Sequence, residues 1–174
     1  MTFEAHLLIP GYAPPLAPAE ETADLRSFVE GVNCKNGHFN DPAVIYCQRC
    51  GISMAQQTLV PHRGLRPSLG VLLFDDSATY RLDADYVIGR EPRELGAGAR
   101  AIRLTYGVGG VSRQHVRVSL TGWTVSVIDL GSSNGTWIGE QRLEPGVPMV
   151  VAPGTRIEIA RRWFRYESHR SGGR

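Results

Sequence analysis

Four soft or borderline donors fall within seventeen residues, Cys34, His38, Cys47 and Cys50, in the pattern Cys-x3-His-x8-Cys-x2-Cys. All three cysteines of the chain belong to it. Thiolates and an imidazole at this spacing suit tetrahedral Zn²⁺, and four protein ligands close the shell. Such a metal is structural, because a catalytic zinc keeps one position for water. Gly51, directly after the second pair, suits a turn that aims backbone amides at thiolate sulfurs. Two other readings stand beside this one. The thiols and the histidine could be unrelated, or Cys47 and Cys50 could do redox chemistry, although the strand-helix context of such motifs is lacking.

A second set of residues lies in the C-terminal half: Gly89-Arg90, then Ser112-Arg113-Gln114-His115, then a run from Asp129 through Ser133, Asn134 and Gly135 to Thr136. An arginine, a hydroxyl with a neighbouring arginine, and an amide can together hold a dianionic phosphate and hydrogen-bond the backbone that carries it. Taken singly, Arg90 reads as a strand-end arginine, Ser112 as a turn residue and Asn134-Gly135 as a hairpin turn. Their order and spacing favour the joint reading. No paired acid and base, nucleophile elbow or open metal set is present, so an enzyme is not expected. A loose Gly-x-Gly-x-x-Ala match at Gly96 to Ala101 lacks the strand-turn-helix setting of a nucleotide-binding fold.

The elements that must position these residues are short strands. The 174 residues include 20 glycines and 11 prolines, so the chain turns often and a long helical bundle is excluded. From Leu69 onward, β-forming runs alternate with turn signals. Candidates are Val71 to Phe74, Tyr80 to Leu82, Tyr86 to Ile88 and Ala101 to Leu104. In Gln114 to Leu120, Val116, Val118 and Leu120 alternate with polar neighbours, as do Trp123, Val125 and Val127, and then Ile157 and Ile159. Upstream, residues 1–30 read as a Pro-rich tail with a short helix from Ala23 to Glu30, capped by Thr22 and ended by Gly31. Residues 31–57 form the metal-binding segment, 58–67 a connector, 68–168 the β domain and 169–174 a tail.

The C-terminal part resembles the forkhead-associated (FHA) family, carried by Gly89-Arg90, the Ser-x-x-His of Ser112 to His115, and Asn134-Gly135-Thr136. The stretch Pro153 to Ala160, followed by Phe164 and Tyr166, is similar to that family's closing strands. The resemblance implies an all-β sandwich of about eleven short strands that binds phosphothreonine. Carried over residue by residue, Arg90 and Ser112 contact the phosphate, and Arg113 adds a phosphate or peptide contact. Ser133 and Asn134 grip the peptide backbone, while Gly89, His115 and Gly135 are structural. The segment ahead of it resembles a small zinc ribbon, too short to fold without metal.

These resemblances together imply a non-enzymatic, bacterial and actinobacterial adaptor. Its partner would be a phosphothreonine protein, either a serine/threonine kinase or a kinase substrate. Thr22, flanked by Glu20, Glu21 and Asp24, is a candidate phosphorylation site that could fold back onto the domain; a helix cap or solvated charge run is the competing reading. With 19 basic and 17 acidic residues, the chain is nearly neutral, but residues 1–60 hold three basic against six acidic groups. The rest is modestly basic, which fits a small anionic ligand. A nucleic-acid regulator using the metal segment and Arg161, Arg162, Arg165, Arg170 and Arg174 is the alternative, and it lacks a basic stripe interleaved with aromatics. No apolar run reaches the ~20 residues of a membrane span, and no signal peptide is evident, so a cytoplasmic protein is expected.

Overall fold

The computed structural model describes residues 27–93 and 98–168. Thr22, Gly96, Arg170 and Arg174 lie outside the described residues, as do residues 1–26 as a whole. Fourteen strands and no α-helix make up the described part. No helix there is long and apolar enough to cross a membrane.

Three strands build the N-terminal module: β1 (Phe28–Asn33), β2 (Phe39–Asn40) and β3 (His62–Leu65), in the order β2-β1-β3. This corrects two expectations. The helix from Ala23 to Glu30 is not formed where it is described, because Phe28–Glu30 pair with Arg63, Gly64 and Leu65 in an antiparallel ladder. The connector 58–67 correspondingly contains a strand. Gly31 is no helix end either; with Gly64 it makes room for the Phe39 ring, which a Cβ on Gly31 would overlap. The apolar interior here is small: Val32, Cys34, Cys47 and Met54 are buried, with the partly buried Val44, Ile52 and Leu59 packed against them.

The remaining eleven strands form two sheets. The first has β4 (Val71–Phe74), β5 (Thr79–Arg81), β10 (Thr136–Ile138), β11 (Gln141–Arg142), β13 (Arg156–Ile159) and β14 (Arg162–Glu167), in the order β11-β10-β13-β14-β4-β5. The second has β6 (Asp85–Gly89), β7 (Ala99–Arg103), β8 (Val116–Thr121), β9 (Thr124–Asp129) and β12 (Met149–Val150), in the order β12-β9-β8-β6-β7. Period-two patterning explains the faces: Val116, Val118 and Leu120 of β8 are buried and their neighbours are not. Leu72, Phe74, Ile88, Ile102, Val127, Ile157, Ile159 and Phe164 complete a single core. Full burial of each such side chain contributes about 1.5–3 kcal/mol. The β6–β7 pair is the only parallel one among the described strands, so the chain must cross over between them, which accounts for part of the long interval separating Arg90 from Ser112.

The β8–β9 hairpin is pinned at its turn end. Asp85 accepts from Leu120 N at 2.8 Å and Ser119 Oγ at 3.0 Å and pairs with Arg117 Nη2 at 2.7 Å. The N-terminal module docks on this same turn. Trp123 Nε1 donates to the Glu30 carbonyl at 2.7 Å and Arg66 Nη1 to the Gly122 carbonyl at 2.8 Å. Phe39 lies 5.5 Å from the Trp123 ring, centroid to centroid.

Candidate functional site

At the other end of β8 and β9, three loops meet. Arg90 follows β6, and its backbone N–H donates to the Ser112 carbonyl at 3.1 Å, while Glu91 N–H donates to the Arg113 carbonyl at 3.0 Å. These bonds bring the first two motifs into contact. Gly89 makes that approach possible, since a Cβ there would overlap the Arg113 carbonyl oxygen. The third motif joins through Ser133 N–H, which donates to Ser112 Oγ at 3.1 Å.

His115 ties the same loops from beneath. It is fully buried; its Nδ1 accepts from Ser112 N–H at 3.1 Å, which makes Nε2 the protonated nitrogen, and Nε2 donates to the Gly135 carbonyl at 3.1 Å. Burial lowers its pKa against the opposing pull of the Gly135 carbonyl and Asp129, so the ring is neutral. Gly135 has φ of 77°, a left-handed conformation that favours glycine.

Asp129 was missed as a site residue from sequence, although it opens the third motif. It is fully buried and accepts four hydrogen bonds: Gly131 N at 2.9 Å, Ser132 N at 2.9 Å, Ser132 Oγ at 2.6 Å and Thr136 Oγ1 at 2.6 Å. Burial raises its pKa, but these donors outweigh that and hold the carboxyl below the usual carboxylate value. The carboxylate thereby shapes the loop presenting Ser133 and Asn134. Its signal was the run of hydroxyl residues three and seven positions downstream.

The surface above these braces is concave. One depression of about 460 Å³ is lined by Arg90, Glu91, Arg93, Ser112, Arg113, Gln114 and Ser133. A neighbouring one is lined by Arg90, Ser112, Ser133 and Asn134 together with Val108 to Val111. Arg90, Ser112 and Ser133 are common to both. Arg90, Arg113, Ser133 and Asn134 are exposed and Ser112 is half-buried. Arg93 joins Arg90 and Arg113, giving three guanidinium groups against one carboxylate, Glu91. Asn134 Nδ2 donates to the Gly110 carbonyl at 2.8 Å, leaving its Oδ1 available as an acceptor. The arrangement can bind a doubly charged anion and an adjoining polar backbone.

The N-terminal module gathers the four candidate ligands. Their donor atoms all lie within 4.8 Å of one another. Cys34 Sγ is 3.6 Å from His38 Nδ1 and 3.9 Å from Cys50 Sγ, and Cys47 Sγ is 3.6 Å from His38 Nδ1. A tetrahedral zinc with Zn–S of about 2.3 Å and Zn–N of about 2.05 Å requires S···S of about 3.8 Å and S···N of about 3.6 Å. The donor set therefore fits a metal ion. Amides supply the outer contacts: Arg49 N and Cys50 N lie 3.4 and 3.5 Å from Cys47 Sγ, and Asn36 Nδ2 lies 3.4 Å from Cys50 Sγ. Burial raises the Cys47 thiol, but these backbone amides outweigh it and bring the pKa down to about 6.

Residues 86–160 match the family model of the FHA domain, a span that includes all three motifs of the sandwich. No curated protein matches the chain. Similar solved structures include an FHA domain from work on phosphothreonine-dependent FHA domain interactions, 27% identical, covering 58% of this chain and 97% of its own with a TM-score of 0.47. Another is the FhaA FHA domain complexed with an intracellular domain, 26% identical over 55% of this chain and 96% of its own, TM-score 0.44. Mycobacterium tuberculosis EmbR in complex with a low-affinity phosphopeptide is 24% identical, covering 62% of this chain and 27% of its own, TM-score 0.47. The six- and five-stranded sheets form an all-β sandwich of the FHA type.

Proposed function

We propose that the chain is a non-enzymatic adaptor that binds phosphothreonine peptides through its sandwich and carries a structural zinc in its N-terminal module. The observation that carries the first part is the pair of depressions meeting at Arg90, Ser112 and Ser133, rimmed by Arg93 and Arg113. A phosphothreonine bears about −1.5 to −2 charge at pH 7, and its bonds to guanidinium are roughly twice as strong as neutral ones. In this reading Arg90 binds the phosphate. Ser112 Oγ already accepts from Ser133 N–H, so its own proton is free to donate to a phosphate oxygen. Arg113 adds a second guanidinium, and Ser133 and Asn134 face the peptide backbone. Gly89, His115 and Gly135 keep the loops in place.

The zinc reading is supported by the size of the donor hole and by the small apolar interior of the module. A core of this size is small for three short strands, and a metal cross-link would add cohesion to it. Cys34, His38, Cys47 and Cys50 would ligate the ion, which supplies cohesion and no chemistry. The partner is a protein phosphorylated on threonine in the cytoplasm, a serine/threonine kinase or one of its substrates.

A phosphothreonine peptide array tests the main reading, with unphosphorylated and phosphoserine versions of each peptide and Arg90→Ala and Ser112→Ala as controls. Phosphate-dependent capture by the wild-type chain, lost in both variants while they remain folded, is expected. Capture that ignores the phosphate, or that survives either substitution, overturns it.

A further inference from the structure

Arg162 opens β14 and is only 6% exposed, which for a guanidinium requires that its charge and its N–H groups be met inside the protein. Nε donates to both oxygens of Asp75 at 2.7 and 2.9 Å, and Nη2 donates to Asp76 Oδ2 at 2.9 Å. Both acids lie in the turn between β4 and β5. Burial raises the Asp75 carboxyl, but Arg162 and the Trp163 backbone N–H outweigh it and hold it below its usual value. Two carboxylates more than neutralise one guanidinium, so this ion cluster is complete within the first sheet.

One bond leaves the cluster. Nη1 donates to the Tyr106 carbonyl at 2.5 Å, in the loop that runs from the end of β7 to Ser112. That loop is tied at its start by Leu104 N–H to the Gly89 carbonyl at 2.8 Å and near its end by Asn134 to the Gly110 carbonyl. Between these ties the Tyr106 side chain is 76% exposed, so it does not anchor the loop by packing. Gly107 lies directly against the arginine stem: with φ of +60°, a Cβ on it would come 3.0 Å from Arg162 Cδ. The next residues, Val108, Gly109 and Gly110, form the wall of the second depression facing Asn134.

We propose that Arg162 is a positioning residue for the peptide-binding face. It touches no ligand; it fixes the backbone of 105–110 so that the wall beside Asn134 is formed before a peptide arrives. The proposal rests on the phosphopeptide reading above. Pre-forming a loop removes its ordering cost from the binding step, so freeing it weakens binding through the loop, including the Gly110 carbonyl that holds Asn134, while Arg90 and Ser112 keep their own bonds.

Arg162→Lys in the full chain is the informative variant. Lysine keeps a positive charge beside Asp75 and Asp76, but one ammonium group cannot reproduce the planar fork that serves two carboxylates and a carbonyl together. Arg162→Gln is the second variant should lysine impair folding. Asp76→Asn, which leaves Asp75 and the Tyr106 bond in place, is the control. Affinity for the strongest array peptide, amide hydrogen exchange of 105–111 and melting temperature are measured on each. The expected result for Arg162→Lys is about tenfold weaker binding with faster exchange confined to 105–111, and wild-type affinity for Asp76→Asn. A lowered melting temperature with unchanged affinity and unchanged loop exchange overturns the proposal. If the wild-type chain binds no phosphopeptide while Arg162→Lys still accelerates exchange in 105–111, the phosphopeptide reading falls and the loop anchor stands.

Discussion

Replacing Asp129 separates its charge from its shape. In Asp129→Ala the hydroxyls of Ser132 and Thr136 can rotate toward other acceptors, but the backbone N–H groups of Gly131 and Ser132 cannot. The buried Ser132 N–H left without a partner costs about 1–3 kcal/mol, and the Gly131 N–H, which is exposed and can bond to water, loses only the net worth of its bond, about 0.5–1.5 kcal/mol, so the two together cost about 1.5–4.5 kcal/mol. That is a large part of the ~5–15 kcal/mol typical of a whole domain. Asp129→Asn retains one oxygen for both backbone donors and presents its amide to two hydroxyls that can turn to accept. Only the charge is lost, and the expected cost is about 1–2 kcal/mol. Urea unfolding at pH 7 measures both. The same carboxylate predicts a pH signature. Its folded pKa lies below the ordinary value of 3.8, so as pH falls through 3.8 the unfolded chain takes up a proton that the folded chain refuses. The stabilisation is complete above that point and is lost as pH falls through the folded pKa. The Asn variant should lack this component. An Ala variant that loses less than about 1 kcal/mol, or an Asn variant as unstable as Ala, would refute the reasoning.

Other outcomes follow from the same geometry. Gly89→Ala introduces a Cβ where the Arg113 carbonyl lies; destabilisation of about 1–3 kcal/mol and weakened phosphopeptide binding are expected, measured by urea melts and titration. His115 has a lowered pKa through burial, so the stability it contributes is present above pH 6.5 and falls as pH drops from there through the folded value; His115→Gln should flatten that part of a stability-versus-pH curve. Elemental analysis should find one zinc per chain, released by thiol modification. Because Phe39 adjoins the candidate ligand His38 and packs on Trp123, release should also change the Trp123 fluorescence, a change seen as the difference from a Trp123→Phe chain.

The strands that were legible in the sequence are those whose burial alternates over five or six residues, as in β8 and β9. Strand β1 was misread because Leu25, Phe28 and Val29 also satisfy a helical face, and its partner β3 lies some thirty residues downstream behind glycines that look like breakers. Those glycines serve the Phe39 ring, a contact that local pattern does not reveal. Strands β11 and β12 have two residues each, both exposed in β11 and only Met149 half-buried in β12, too short for a period to register. At the site, the residues with exposed charge or amide groups could be read from motif spacing. The supports could be read less well: Arg162 finds Asp75 and Asp76 more than eighty positions away, and Arg93 reaches the depression only through the path of its loop.

The docking of the N-terminal module on the β8–β9 turn gives the molecule two poles. Each of those strands runs six residues from the loop end to the turn, about 20 Å at ~3.3 Å per residue. The loops that carry Arg90, Ser112 and Asn134 and the Cys/His cluster therefore occupy opposite ends of this hairpin. A single partner engaging both ends would have to span that distance with some six or more extended residues. Two separate partners could be held at once without colliding.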